Sequence, residues 1–523
     1  MNRRWAPHID RLFLIALAVS CYLLFFHRLG SIGMLGPDEP RYAAVAREMF
    51  ESGDYVTPRL NGEVWFEKPV LMYWGAAIGY RIFGVNEWGA RFPSALAATV
   101  AVFLVYWCGR RLWDRGVAML AALIMASSVG FFAFARAASM DMLLTACLTA
   151  ALVFFLAGVN DESRKRRKWF YLFYAALGLG ALAKGPVALL LPAIALIGFL
   201  AIRGTWGEWG TWHPEGILIT MAVALPWYVA CTWANGFDFL RVFIINHNFE
   251  RFATNVFGHQ RPFYFYVPVL LLLTFPWTFL LIPTLRRRFT RNEQFMVWWI
   301  VVPFVFFSFS GSKLPGYILP IVPPIALLCA KELVLPRSRT FKIAVYIEAG
   351  AMAFIGVAFG FFASMIHVDP HVSTTLIAVI AFALAGLLTV IAAWLKPAFL
   401  AAFNLATIFV LVAIATTLVF PRFDRFETMR PWQQALAQIV PGDEKVFLYK
   451  PARWMEYGLM YYRNSDVVAI DSPEELSSLT TNARLLCVTD DNSLDELAKV
   501  GNLDMQVVHT IGNQTAFWVW QVQ

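Results

Sequence analysis

The sequence predicts a mainly α-helical, polytopic membrane protein closed by a small C-terminal α/β domain. Three observations carry this. Of 523 residues, 59% are hydrophobic and 15% charged, whereas a soluble domain carries about 25% charge; mean hydropathy is +0.58. Apolar runs near the roughly 20 residues needed to cross the hydrocarbon core recur as far as residue 420. Beyond it the composition turns mixed polar, with strand-like and helix-like runs alternating. The expected domains are 1–421, within the membrane, and 422–523, outside it.

Candidate spans lie near 11–29, 91–109, 114–133, 139–158, 169–183, 185–202, 216–234, 263–285, 292–309, 314–335, 341–366, 373–395 and 398–420. The run from Leu12 lacks a small-residue cleavage site and reads as a retained first span. Residues 69–84 (PVLMYWGAAIGYRIFG) could cross or lie flat. Charge decides. The basic loops around Arg3/Arg4/Arg11, Arg110/Arg111/Arg115, Arg164–Lys168, Arg203, Arg286–Arg288/Arg291 and Arg337/Arg339/Lys342 share one side only if 69–84 does not cross. That gives about thirteen spans, an interfacial helix at 69–84, an inside N-terminus and an outside C-terminus. The loops at 30–90, 134–141, 235–262, 311–316 and 367–372 then face outward together.

The net charge of +8 is dispersed in these short loops. It fits topology signals beside anionic membrane lipids, not nucleic-acid binding. The six cysteines have no CxxC spacing and five lie in apolar segments, so neither a zinc site nor a disulfide framework is indicated. In the tail, KVFLY (445–449), DVVAI (466–470), RLLCV (484–488), MQVVHTI (505–511) and TAFWVWQV (515–522) read as strands, with PEELSSL and SLDELAKV as helices between them.

The chemistry concentrates in residues 36–68, a charged stretch between apolar segments. Ionisable groups held beside hydrocarbon are costly and mark function. Asp38-Glu39-Pro40 opens the helical run RYAAVAREMF. An acidic cap before an early proline is an ordinary helix start, and a capped carboxylate is also well placed to take a proton or orient an attacking group. Glu67-Lys68-Pro69 joins an anion, a cation and a helix start, which suits a phosphate held by Lys68 and free N–H groups; snorkelling with a local ion pair is the plainer alternative. Asp141 begins a span, as a cap or as a second site carboxylate. Helical spacing puts His247, Glu250 and Arg251 on one face, which with Glu67 could hold a divalent ion; an interfacial aromatic belt is the other reading of 246–266. The break SGSKLPGY offers Lys313 and Tyr317 near the same surface. GLGALAKG (178–185) imitates a phosphate loop but lies in an apolar helix without the GK[ST] ending, and reads as close-packing glycine.

Taken in order, GPDEPRYAAVAREM, WFEKPVLMYW, GVNEWGARFPSAL, the ASMD at Asp141, HNFERF and SKLPGYILP resemble the membrane glycosyltransferases of the GT-C fold. More narrowly they resemble the bacterial aminoarabinose lipid A transferases within the protein-mannosyltransferase-like superfamily. The resemblance covers the membrane region, and the tail is similar to the periplasmic α/β domain of those enzymes. It implies a bacterial inner-membrane enzyme working on the periplasmic face, with a polyprenyl-phosphate (undecaprenyl-phosphate) sugar donor, no nucleotide cofactor and inversion at the anomeric carbon. Asp38, with Glu39 beside it, and Asp141 would be catalytic; Lys68, Arg251 and Tyr317, with Arg41, Tyr42 and Lys313, would hold the donor phosphate; Glu67 and His247 match a metal site seen in the family. Trp65 replaces a frequent tyrosine and removes a phenol. The acceptor would be lipid A or another envelope lipid or polysaccharide. Protein hydroxyls would fit every motif as well. A non-catalytic transporter fits less, because transporters place their ionisable groups near mid-membrane on paired repeats.

Overall fold

The structure is a computed structural model and describes residues 6–163, 166–203, 214–250, 261–335, 338–365, 384, 386–388, 390–391, 394, 397–440, 444–463, 467–481, 483–501 and 503–521. Helices dominate up to Glu427. Among the described residues, five are by themselves long and apolar enough to cross a membrane: Glu87–Leu112, Met140–Val159, Glu215–Asn235, Pro315–Val334 and Phe399–Thr417. Two bent pairs, Arg115–Ser127 with Val129–Ala135 (65°) and Phe263–Thr274 with Trp277–Leu285 (109°), raise the number to seven. This is fewer than the thirteen apolar runs of the sequence. Several of those runs form short helices or helices with charged ends, such as Arg166–Lys184, and the run at 373–395 falls largely outside the described residues. Lipid-facing side chains such as Leu218, Val229, Trp233, Leu272 and Phe354 are exposed, while Ala98, Val102, Ala121, Met125 and Leu152 are sealed inside the bundle. That is a chain solvated by hydrocarbon outside and by itself within.

The first outward loop is an ordered layer. Helix Asp38–Ser52 stops where Gly53 takes a left-handed conformation (φ 72°) and its N–H closes on Met49. A two-residue hairpin, β1 (Arg59–Leu60) with β2 (Glu63–Val64), leads into helix Leu71–Phe83. Its 13 residues rise only about 20 Å, too short to cross roughly 30 Å of hydrocarbon. It lies instead against Glu87–Leu112, where backbones meet closely: a Cβ at Gly79 would fall 2.1 Å from the Gly89 carbonyl oxygen.

The five strand-like runs of the tail form one mixed sheet. Its strands are β3 (Val446–Tyr449), β4 (Val467–Ile470), β5 (Leu485–Asp490), β6 (Leu503–Ile511) and β7 (Gln514–Gln521), in the order β4-β3-β5-β7-β6. β3 runs parallel to β4 and β5, and β7 is antiparallel to β5 and β6. Alternation sorts the side chains: Tyr449, Ile470, Cys487, Phe517 and Val519 fill one face. Val446, Leu448, Leu486, Val488 and Ala516 fill the other, in a core shared with Trp432, Leu436 and Leu459 and with Ala43, Val45, Met49 and Tyr73 of the first loop. The tail therefore packs on the first loop. Polar contacts lock this packing: Asp424 accepts from the Gly33 N–H (2.7 Å), Tyr462 from the Met34 N–H (2.9 Å), and Arg430 donates to the Gly30 carbonyl (2.9 Å). Three side-chain oxygens, from Thr428, Tyr462 and Asp424, stand within 3.0 Å of where a Gly33 Cβ would be.

Candidate active site

One cavity of about 340 Å³ opens beside the first loop, and its lining includes Asp38, Glu39, Tyr42, Lys68, Arg91, Arg136, Asp141, Lys184 and Tyr317. These residues come from six separate stretches of chain. Asp38, Lys68, Asp141 and Tyr317, singled out from sequence, meet here, and so does Tyr42.

Asp38 is the first residue of its helix, and its carboxylate caps nothing. It accepts from Arg41 Nη2 at 2.5 Å and keeps about half of its side-chain surface open (47%). Arg41 is buried, pairs also with Glu67 (3.2 Å), and lies over the rings of Tyr42, Trp65 and Tyr457. Burial lowers its pKa, but Tyr42, the carboxylates of Asp38 and Glu67, and Tyr73 outweigh that and hold it above the ordinary value. Trp65 thus supplies a face to Arg41 where a tyrosine would supply a hydroxyl. Burial pushes the Tyr42 phenol well up, so it is neutral near pH 7.

Glu39, one residue on, points away from Asp38 because successive helical residues are turned by about 100°. Its carboxylate accepts two bonds from buried Arg91 (2.7 and 2.8 Å) and one each from the backbone N–H groups of Leu35 and Ala138 (both 2.8 Å). The remaining guanidinium donors of Arg91 go to the carbonyls of Leu29, Ile32 and Gly33. Four accepted bonds tie the Glu39 carboxylate to the loop and to Arg91, whereas the Asp38 carboxylate keeps about half of its surface open.

Asp141 sits in the first turn of Met140–Val159 and makes no capping bond; its carboxylate pairs with Lys184. The Lys184 ammonium also lies 4.2 Å from the centre of the Tyr317 ring. Gly316 permits the arrangement, as a Cβ there would fall 2.2 Å from Asp141 Oδ2. The sequence reading missed Lys184. It ends the helix Arg166–Lys184 inside GLGALAKG, and a lysine closing a long apolar helix before Gly185-Pro186 was the available signal.

Lys313 and Glu67 stand apart from the cavity lining. Lys313 is buried away from the cavity lining, with its ammonium donating to the carbonyls of Ser310 (2.7 Å) and Arg261 (3.2 Å). Glu67 pairs with Arg41, and among the described residues no group of three His, Cys, Asp or Glu side chains is placed to hold a metal ion. A divalent ion beside Glu67 would also face the Arg41 guanidinium. Arg251 lies outside the described residues.

Arg136 was not foreseen. It is 8% exposed and donates from Nη1 to the carbonyls of Leu24 and His27 and from Nη2 to that of Arg28, all at 2.9 Å. Burial and the nearby Arg91 guanidinium push it down to about 10, which leaves it cationic at neutral pH.

Fold and site together define an integral membrane protein of the GT-C fold. The chain superposes on the crystal structure of ArnT from Cupriavidus metallidurans bound to undecaprenyl phosphate, with a TM-score of 0.79 over 97% of both chains at 22% identity. An archaeal oligosaccharyltransferase, AglB from Archaeoglobus fulgidus, follows at 0.51 and 13% identity, covering 97% of this chain and 74% of that one. In sequence, residues 67–230 match the family described as dolichyl-phosphate-mannose-protein mannosyltransferase. The undecaprenyl phosphate-alpha-4-amino-4-deoxy-L-arabinose arabinosyl transferase of Pseudomonas paraeruginosa is 35% identical over 342 residues, 64% of this chain and 60% of that protein. The enzyme of the same description from an Enterobacter species is 31% identical over 63% of this chain and 61% of its own. The alignments thus span about 60% of the length of these relatives.

Proposed function

We propose that the chain is an inverting glycosyltransferase that moves a sugar, 4-amino-4-deoxy-L-arabinose, from a polyprenyl (undecaprenyl) phosphate to lipid A or a related envelope acceptor. The observation that carries this is the meeting of Asp38, Lys68, Asp141, Lys184 and Tyr317 in one cavity beside the first loop. Cations there suit the departing phosphate, and carboxylates suit the positive charge that grows on the anomeric carbon. The described arabinosyl transferases, similar over nearly two thirds of this chain, support the same sugar and carrier.

In the reaction an acceptor oxygen attacks the anomeric carbon from the side opposite the donor phosphate. The bond from that carbon to the phosphate oxygen breaks, and polyprenyl phosphate leaves as an anion beside Lys68. With a hydroxyl acceptor, Asp38 takes the proton. With a phosphate acceptor there is no proton to remove, and Asp38 and Asp141 stabilise the oxocarbenium-like state. About thirteen crossings with the N-terminus inside the bacterial inner membrane, domains at 1–421 and 422–523, and the cavity on the periplasmic side complete the proposal. The positive-inside distribution supports that topology.

The mannosyltransferase match over 67–230 favours a second reading, transfer to protein hydroxyls. Purified protein with radiolabelled undecaprenyl-phosphate aminoarabinose separates the two when offered lipid A and a Ser/Thr-rich peptide. Label is expected in lipid A. Asp38→Asn is expected to lower the rate at least about 100-fold with an unchanged melting temperature; full turnover in the folded variant would remove Asp38 from the mechanism.

A further inference from the structure

The lining of the cavity pairs its carboxylates internally. Asp38 has Arg41, Glu39 has Arg91, and Asp141 has Lys184. Arg136 differs. No carboxylate of the described residues lies within ion-pair distance of it, and its three partners are neutral carbonyls at the end of the first helix. A guanidinium has five N–H donors in a planar fork. The two on Nη1 and one on Nη2 are used, which leaves the Nε–H and the second Nη2 proton without an acceptor among the described residues. Nε is not among the sealed, unsatisfied polar atoms, and the residue lines the cavity. So an arginine more than nine-tenths buried lines the space where the reaction is proposed to occur, with N–H donors to spare. A guanidinium with unused donors matches the oxygens of a phosphate. The Phe132 ring, 5.7 Å from the guanidinium carbon, steadies its plane.

We infer that Arg136 is the acceptor-binding residue of this site, holding a phosphate group of the incoming glycolipid through its Nε and Nη2 edge. The inference rests on the proposed transfer reaction and adds to it the residue that grips the acceptor. The cation lowered by burial and by Arg91 gains most from an anion brought into the same low-dielectric space. Lys68 and Arg136 come from different elements, so one cavity can hold the leaving phosphate and the acceptor phosphate on separate cations.

Arg136→Lys tests this. An ammonium has three donors and the helix end has three carbonyls, so the structural bonds can be kept while the planar edge is lost. The probes are lipid A and lipid A from which a phosphatase has removed the phosphates, with inorganic phosphate as a third arm. Thermal stabilisation of the detergent-solubilised protein gives binding without turnover. Wild type should be stabilised by lipid A and hardly by the other two, and R136K should lose that difference. In transfer assays R136K should raise the acceptor KM about 10- to 100-fold and change the donor KM less than about twofold. A raised donor KM, a fall in kcat alone, or unchanged kinetics in folded R136K each overturns the assignment, as does equal stabilisation of wild type by inorganic phosphate or by the dephosphorylated lipid. If R136K does not fold, the wild-type comparison of the two glycolipids still decides. Wild type that binds lipid A in this way but transfers no sugar refutes the proposed reaction and leaves the anion site standing.

Discussion

Replacing Gly316 by alanine reaches the site without altering any charged or hydrogen-bonding group. The added Cβ would stand 2.2 Å from Asp141 Oδ2, 2.7 Å from its Cγ and 2.8 Å from Phe134 Cε1, against an ordinary contact of 3.4 Å or more. Phe134 backs the same space, so the carboxylate must give way. Restoring normal contact moves it by about 1.2 Å, and a displacement near 1 Å in a reacting constellation costs about 100-fold in rate. That is roughly 2.7 kcal/mol of transition-state stabilisation. The shift also strains the Asp141–Lys184 pair and, through Lys184, the contact with Tyr317. The expected result for G316A is a transfer rate about 100-fold down with a largely retained melting temperature, read by sugar transfer and by thermal melting in the same detergent. Wild-type turnover in folded G316A would show that the position of Asp141 does not matter to the chemistry.

Two other outcomes follow from the buried charges and phenols. Glu39→Ala strands Arg91, which is 2% exposed, and removing one partner of a buried pair costs about 3–5 kcal/mol; a sharp fall in melting temperature is expected, with partial recovery in E39L/R91M, and an unchanged melt in E39A would refute the keystone role. Tyr42 and Tyr462 have folded-state pKa values raised well above 10.0 by burial. The unfolded chain therefore releases these protons first as pH rises. Stability should be level below about pH 9 and fall above about pH 10, by up to roughly 1.4 kcal/mol per pH unit for each phenol. Tyr42→Phe should flatten the decline in an alkaline unfolding series, and an identical slope would rule its phenol out as a contributor.

Much of the fold could be read because it is written in local pattern. Strand alternation in the tail and the charge interruption at 36–68 need only neighbouring residues to interpret. The order β4-β3-β5-β7-β6 was not legible, since pairing across dozens of residues leaves no periodic trace. The site divides in the same way. Asp38, Lys68, Asp141 and Tyr317 stand out as polar groups at the ends of apolar segments. Which acid of Asp38-Glu39 faces the cavity freely depends on where Arg41 and Arg91 arrive, and Arg91 is 52 residues away from Glu39. Lys313 and Lys184 exchange places for a related reason: both are lysines beside glycines at a helix break, and only packing shows that one is capped by carbonyls and the other meets Asp141. Arg136 was hidden because its partners are backbone carbonyls, which every residue offers.

The lock between Gly33 and Asp424 spans 391 positions. The loop bearing Asp38 is made before the groups that hold residues 30–34 in place. The cavity therefore takes its final shape only after residues 424, 430 and 462 have been made. A chain that stops short of them would have Asp38 and Lys68 without the frame that aligns them.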